Sequence, residues 1–116
     1  MILTSLYHWS PRDRRKQIRH HGLKPGSRPC IGTITTVTDG KPMICLGSTP
    51  MTAWSLSGKM RYAPTGWWDL WEVTLRDNDE VYILPIYGAR LKEVRVANRI
   101  PKLRVIWIGE REKAVA

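Results

Sequence analysis

Two stretches of this chain pass from a β-prone run into a hydroxyl residue and then a proline: Leu6-Tyr7-His8-Trp9-Ser10-Pro11, and Ile44-Cys45-Leu46-Gly47-Ser48-Thr49-Pro50. That pattern limits the fold strongly. Aromatic and β-branched residues favour a strand, and a Ser or Thr oxygen can accept from the first free N–H groups of a helix. Pro fits the first helical position because its missing N–H is not needed there. In the first unit Ile2 to Trp9 predicts a strand and Ser10 an N-cap, with Asp13 returning a bond in an acidic version of the capping box. The helix runs to about His21, where Gly22 supplies a left-handed residue and Leu23 the hydrophobic contact after it. In the second unit Met43 to Gly47 predicts a short strand, and Met51 to Leu56 a short helix ended near Gly58.

The remainder reads mainly as strands. Lys24 to Pro29 is turn chemistry, Ile31 to Thr38 is Thr-rich and β-prone, and Asp39-Gly40-Lys41-Pro42 is a second turn. Gly58 to Gly66 reads as a loop. Trp67 to Leu75 and Val81 to Tyr87 predict the two arms of a hairpin across the acidic turn Asp77-Asn78-Asp79-Glu80, with Pro85 marking an edge or a bulge. Lys92 to Ala97 and Leu103 to Ile108 predict two more strands, and a polar tail follows from about Glu110. Strands outnumber helices and no regular βαβ alternation occurs. The expected class is therefore α+β, a mostly antiparallel sheet pair with two short helices at one side. A length of 116 residues suits one domain spanning residues 1–116.

The charge narrows the partners. Lys and Arg number 19 against 10 Asp and Glu, a net charge of +9. Arg12, Arg14, Arg15, Lys16, Arg19, Lys24 and Arg28 crowd into one segment whose only acid is Asp13. Such a density exceeds what solubility needs and suits a polyanion, which points to nucleic acid or an acidic protein surface. Six Trp, four Tyr and no Phe mean that nearly every large ring carries a polar handle suited to half-wet clefts. Cys30 and Cys45 lack zinc-site spacing, so no metal is expected. No apolar run reaches the roughly 20 residues of a membrane span, and the N-terminal residues lack the pattern of a signal peptide. These features lead to an expectation of a soluble, cytoplasmic protein.

Among the chemistry-bearing residues, His8 stands on a strand just before a capped helix, where it and Ser10 can face an anion or a ribose hydroxyl. By residue type alone, His8 equally fits a ring that satisfies a backbone carbonyl inside a sheet, and Ser10 a plain cap. Ser48 and Thr49 can donate to phosphate or act only as caps. Glu93 sits among Lys92, Arg95 and Arg99, where a carboxylate stays ionised and positioned, as it also would in an ordinary surface ion pair. There is no Gly-x-Ser-x-Gly elbow, no Gly-x-Gly-x-x-Gly after a strand and no phosphate-cradling glycine loop. A histidine, hydroxyls, stacking aromatics and one carboxylate remain on a basic frame.

The block LYHWSPRDRRKQIRHHGLKPG resembles the opening of small ADP-ribosyltransferase-like proteins, where strand, His and Ser lead into a helix and a Gly-Leu turn. MICLGSTPMTAWSLSG is similar to that family's second block, and LKEVRVANRIPKLRVIWI to its closing block, with Glu-x-Arg on a strand. The order and spacing agree across nearly the whole chain. The resemblance implies a split pair of antiparallel sheets, NAD as cofactor, and nucleic acid or a nucleic-acid-associated protein as acceptor; the RNA 2′-phosphotransferases share the fold. It further implies that His8, with Ser10 beside it and Ser48 in the second block, binds the cofactor. Trp54 or Tyr62 would stack on the nicotinamide. Glu93 would bond the nicotinamide ribose, with Glu72 or Glu110 as substitutes should the register differ. Two other readings stand beside this one: a non-catalytic binder that takes nucleic acid on Arg12, Arg14, Arg15, Lys16 and Arg19, and a phage-type protein that docks on an acidic host surface.

Overall fold

The computed structural model describes residues 4–26, 42–58, 64–85 and 92–114. Among the described residues, two three-stranded antiparallel sheets and two short helices make an α+β fold. The first sheet has the order β1 (Thr4–Pro11), β3 (Gly66–Leu75), β6 (Val105–Lys113), and the second has the order β2 (Ile44–Leu46), β5 (Lys92–Val96), β4 (Val81–Pro85). The sheets meet at an isolated bridge in which Tyr7 and Gly47 exchange two N–H to carbonyl bonds of 2.9 Å. Gly47 suits that crossing because a Cβ there would stand 2.5 Å from the Ala53 nitrogen.

Strand alternation sorts the side chains. Leu6, Trp71, Val73 and Val105 on the first sheet pack against Ile44, Leu46, Val94 and Val96 on the second, and together with Ile18, Leu23 and Ile100 they make the main core. The opposite face of the first sheet carries Trp9, Trp68 and Leu70, which bury Ala53 and Trp54. Trp9 and Trp68 each meet Trp54 edge to face, at 4.9 and 5.9 Å. Helix α2 (Pro50–Ala53) starts as its sequence dictates: Thr49 is the N-cap, its hydroxyl accepts from the Thr52 N–H at 3.0 Å, and Pro50 stands at the first helical position. A π-helical turn over Trp54–Gly58 follows. Helix α1 (Arg15–His21) ends at Gly22, with φ of 75°, and Leu23 behind it exchanges backbone hydrogen bonds with Ile100.

Three expectations are corrected. Ser10 does not cap a helix: β1 continues through Pro11, and the 3₁₀ turn at Arg12–Arg14 begins with no side-chain cap. The Ser10 hydroxyl instead accepts from Trp71 Nε1 at 2.9 Å inside the core. The hairpin between β3 and β4 is absent, because β1 and β6 already occupy both edges of β3 and the turn carries the chain to the other sheet. That turn is pinned to the end of β5: Asn98 Nδ2 donates to Asp79 and its Oδ1 accepts from the Glu80 N–H. The segment from Glu110 is not a tail, since Glu110–Lys113 pair with Gly66–Asp69 as the far end of β6. The segments 27–41, 59–63 and 86–91 lie outside the described residues, and with them Tyr62 and the β-prone run from Ile31 to Thr38. Among the described residues no helix is long and apolar enough to cross a membrane.

Candidate functional site

The half-buried His8 ring lies at the junction of the two sheets, where Nδ1 is 2.9 Å from the Cys45 carbonyl oxygen. A carbonyl can only accept, so Nδ1 carries the proton and Nε2 keeps its lone pair for another partner. Burial pushes the His8 pKa below its usual 6.5. The hydrogen bond to Cys45 opposes that shift and the nearby charge of Arg14 adds to it. The carbonyl-satisfying role read from residue type is thus met by Nδ1.

Cys45 stands opposite Arg95 in the β2–β5 register. Val94 and Val96 turn into the core, so Glu93 and Arg95 occupy the other face of β5. Even so they are 1% and 0% exposed, and Arg95 Nη2 donates to Glu93 Oε2 at 2.8 Å. His8 therefore bonds to β2, and Glu93 sits on the strand beside β2, about 4.8 Å away across the ladder. The structure thus places His8 against β2, at the sheet junction, and the Glu93–Arg95 pair on β5, the next strand of the second sheet. It does not bring Trp54 there: that ring is buried in the aromatic cluster on the opposite side of β1, with the Arg111 guanidinium 4.3 Å over it. Ser10 is buried beneath Trp71, while Ser48 is exposed in the bend before Thr49. Glu72 lies on β3 opposite Tyr7, and Glu110 is engaged by Arg12 and Arg15. Among the described residues no group of three or more His, Cys, Asp or Glu could hold a metal ion.

The basic residues divide into two sets. Arg12 pairs with Glu110 at 2.7 Å, and Arg15 reaches both Asp69 and Glu110. Arg14, Lys16 and Arg19 are exposed and make no ion pair among the described residues. Asp69 was missed by sequence reasoning. Burial pushes its carboxyl up, but hydrogen bonds from Arg15 and Trp107, with the charges of Arg15 and Arg12, outweigh burial and hold it below the usual carboxylate range. The signal was legible, because an Asp between Trp68 and Leu70 on a central strand must find a cation or unfold the sheet.

No protein-family model matches the chain, and no curated protein matches its sequence.

Proposed function

We propose that this chain is an NAD-dependent ADP-ribosyltransferase-like protein that modifies nucleic acid or a nucleic-acid-associated protein. One observation supports the reading: His8 hydrogen-bonds the Cys45 carbonyl on β2, and β5, the strand paired with β2, carries the buried Glu93–Arg95 pair, with Arg95 opposite Cys45. The donor set suits a ribose diol. With Nδ1 committed to Cys45, His8 offers Nε2 as an acceptor for a hydroxyl, and Glu93 offers a carboxylate whose position Arg95 fixes. When bound, NAD supplies an activated glycosidic bond with nicotinamide as leaving group. The chain's part is to orient the ribose and to set a preorganised negative charge where positive charge develops on the sugar. A carboxylate held by a guanidinium needs no reorganisation at that moment.

The test is calorimetric titration of NAD into the protein, combined with transfer of label from adenylate-labelled NAD to nucleic acid or protein. Heat of binding that His8→Ala weakens, together with label transfer that Glu93→Gln abolishes, is the expected result. An absence of both heat and transfer overturns the reading.

A further inference from the structure

On the sheet face that carries Asp69, indole rings and guanidinium groups alternate. Arg12 lies 4.9 Å from the centroid of Trp67, and Arg15 and Arg19 lie 5.3 and 5.8 Å from that of Trp107. Trp67 is 43% exposed and Trp107 37%, so both rings remain open to a ligand although cations cover part of them. Their positions are nonetheless fixed. Trp107 Nε1 donates to Asp69 at 2.9 Å, and the cations hold the ring faces without burying them. Of the acids on this face, Asp69 and Glu110 are engaged by Arg12, Arg15 and Trp107, while the exposed Glu112 stands opposite Trp67 on β6. Arg19 stands over Trp107, and Arg14 and Lys16 flank Arg15 in sequence as further exposed cations, in a chain of net charge +9.

We propose that this face binds single-stranded nucleic acid, with backbone phosphates on Arg14, Lys16 and Arg19 and bases stacked on Trp67 and Trp107. Positive charge along a backbone track combined with exposed rings is the arrangement single strands need, since every unpaired base has a π face to offer. A duplex hides those faces, and an acidic protein surface would be met by the cations alone. The surface involves neither His8 nor Glu93. It names the acceptor class that the transferase reading leaves open, and rests on that reading only for the reason a transferase would carry it.

The experiment is fluorescence anisotropy with a labelled oligothymidylate of about 15 nucleotides, in the absence of NAD. Binding is expected to weaken with salt, and Arg14→Gln with Lys16→Gln should reduce the logarithmic salt slope by about 1.4. Trp67 makes no hydrogen bond through its side chain among the described residues, so Trp67→Ala leaves the fold standing. It should lower affinity about tenfold through the lost stack. The proposal is overturned if the oligonucleotide does not bind, if a duplex of equal length binds as tightly, or if polyglutamate competes as well as the oligonucleotide. NAD titration of the wild-type protein, set beside its oligonucleotide binding, separates the two ideas: heat without oligonucleotide binding sinks only the docking face, and oligonucleotide binding without heat sinks only the transferase.

Discussion

Arg15 and Asp69, 54 residues apart in sequence, meet through two parallel hydrogen bonds, Nε to Oδ2 at 2.9 Å and Nη2 to Oδ1 at 2.5 Å. This fork ties the start of α1 to the central strand β3, and Trp107 on β6 donates a third bond to the same carboxylate. One buried side chain thereby joins three elements. Asp69→Asn preserves volume but turns an amide toward the guanidinium, so the unfolding free energy should fall by about 2 to 3 kcal/mol in urea denaturation. Arg15→Lys should not substitute, because an ammonium cannot make the paired bonds. An unchanged denaturation midpoint in Asp69→Asn would show that the fork contributes nothing.

Asp79 sets an acid limit. Its carboxyl is drawn from 3.8 down to about 2, first by the hydrogen bonds from Arg104, against a cost of burial, with help from the Arg76 N–H and Asn98. The native state keeps this carboxylate ionised to about pH 2, whereas the unfolded chain takes up its proton near 3.8. The unfolded state thus binds more protons in that window, and stability falls as pH falls through it. The loss should be about 2 kcal/mol between pH 5 and pH 2, and Asp79→Asn should remove this dependence while lowering stability at neutral pH. Denaturation midpoints measured across that range decide it.

His8 acts in a separate window. Its native pKa is depressed by burial, so below 6.5 the unfolded chain gains a proton that the folded ring resists. Its contribution is complete above 6.5 and is lost as pH falls toward the native value. The wild-type protein should therefore lose more stability between about pH 7 and pH 5.5 than His8→Gln does. Imidazole resonances in NMR should show the ring still neutral where the unfolded chain is charged. Equal pH slopes in the two proteins would refute the assignment.

Some of this architecture could be read from the residues, and some could not, for physical reasons. Thr49-Pro50 marks a helix start because both signals act within one turn of chain. Ser10-Pro11 carries the same local signal, yet Trp71, 61 residues away, takes the hydroxyl and β3 extends the strand past it. The acidic turn at 77–80 correctly reverses the chain, but turn chemistry does not encode which sheet receives the next strand. Glu110 looked like the start of a polar tail because β6 is an edge strand whose far end is charged on both faces. The α+β class emerged because it depends on the count and kind of elements, while the site depends on pairings between distant segments.

Gly22 supports the closure between α1 and the segment before β6. With φ at 75°, it lies where a side chain is strained, and a Cβ would come 2.1 Å from the Ile100 carbonyl oxygen and 2.7 Å from the Lys102 nitrogen. The Ile100 oxygen cannot retreat without breaking its hydrogen bond from the Leu23 N–H. Gly22→Ala should cost about 3 kcal/mol, visible as a lowered thermal midpoint, whereas Gly109→Ala on exposed β6 meets nothing within 4 Å and should cost well under 1 kcal/mol.

The buried Glu93–Arg95 pair offers a way to separate stability from function. Removing one partner leaves the other charge buried, so Glu93→Gln alone should lower stability by about 3 kcal/mol. Replacing both with apolar residues of similar size removes the desolvation cost along with the attraction, and such exchanges are often neutral or stabilising. The double variant Glu93→Leu, Arg95→Met should therefore fold with a midpoint near that of the wild-type protein. If the pair exists to serve the sheet-junction site, that folded variant should fail to transfer label from NAD while still binding oligothymidylate on the Trp67 and Trp107 face. Circular dichroism confirms the fold and the two binding assays read the function. A folded double variant that still transfers label would show the pair to be structural and move the catalytic carboxylate elsewhere.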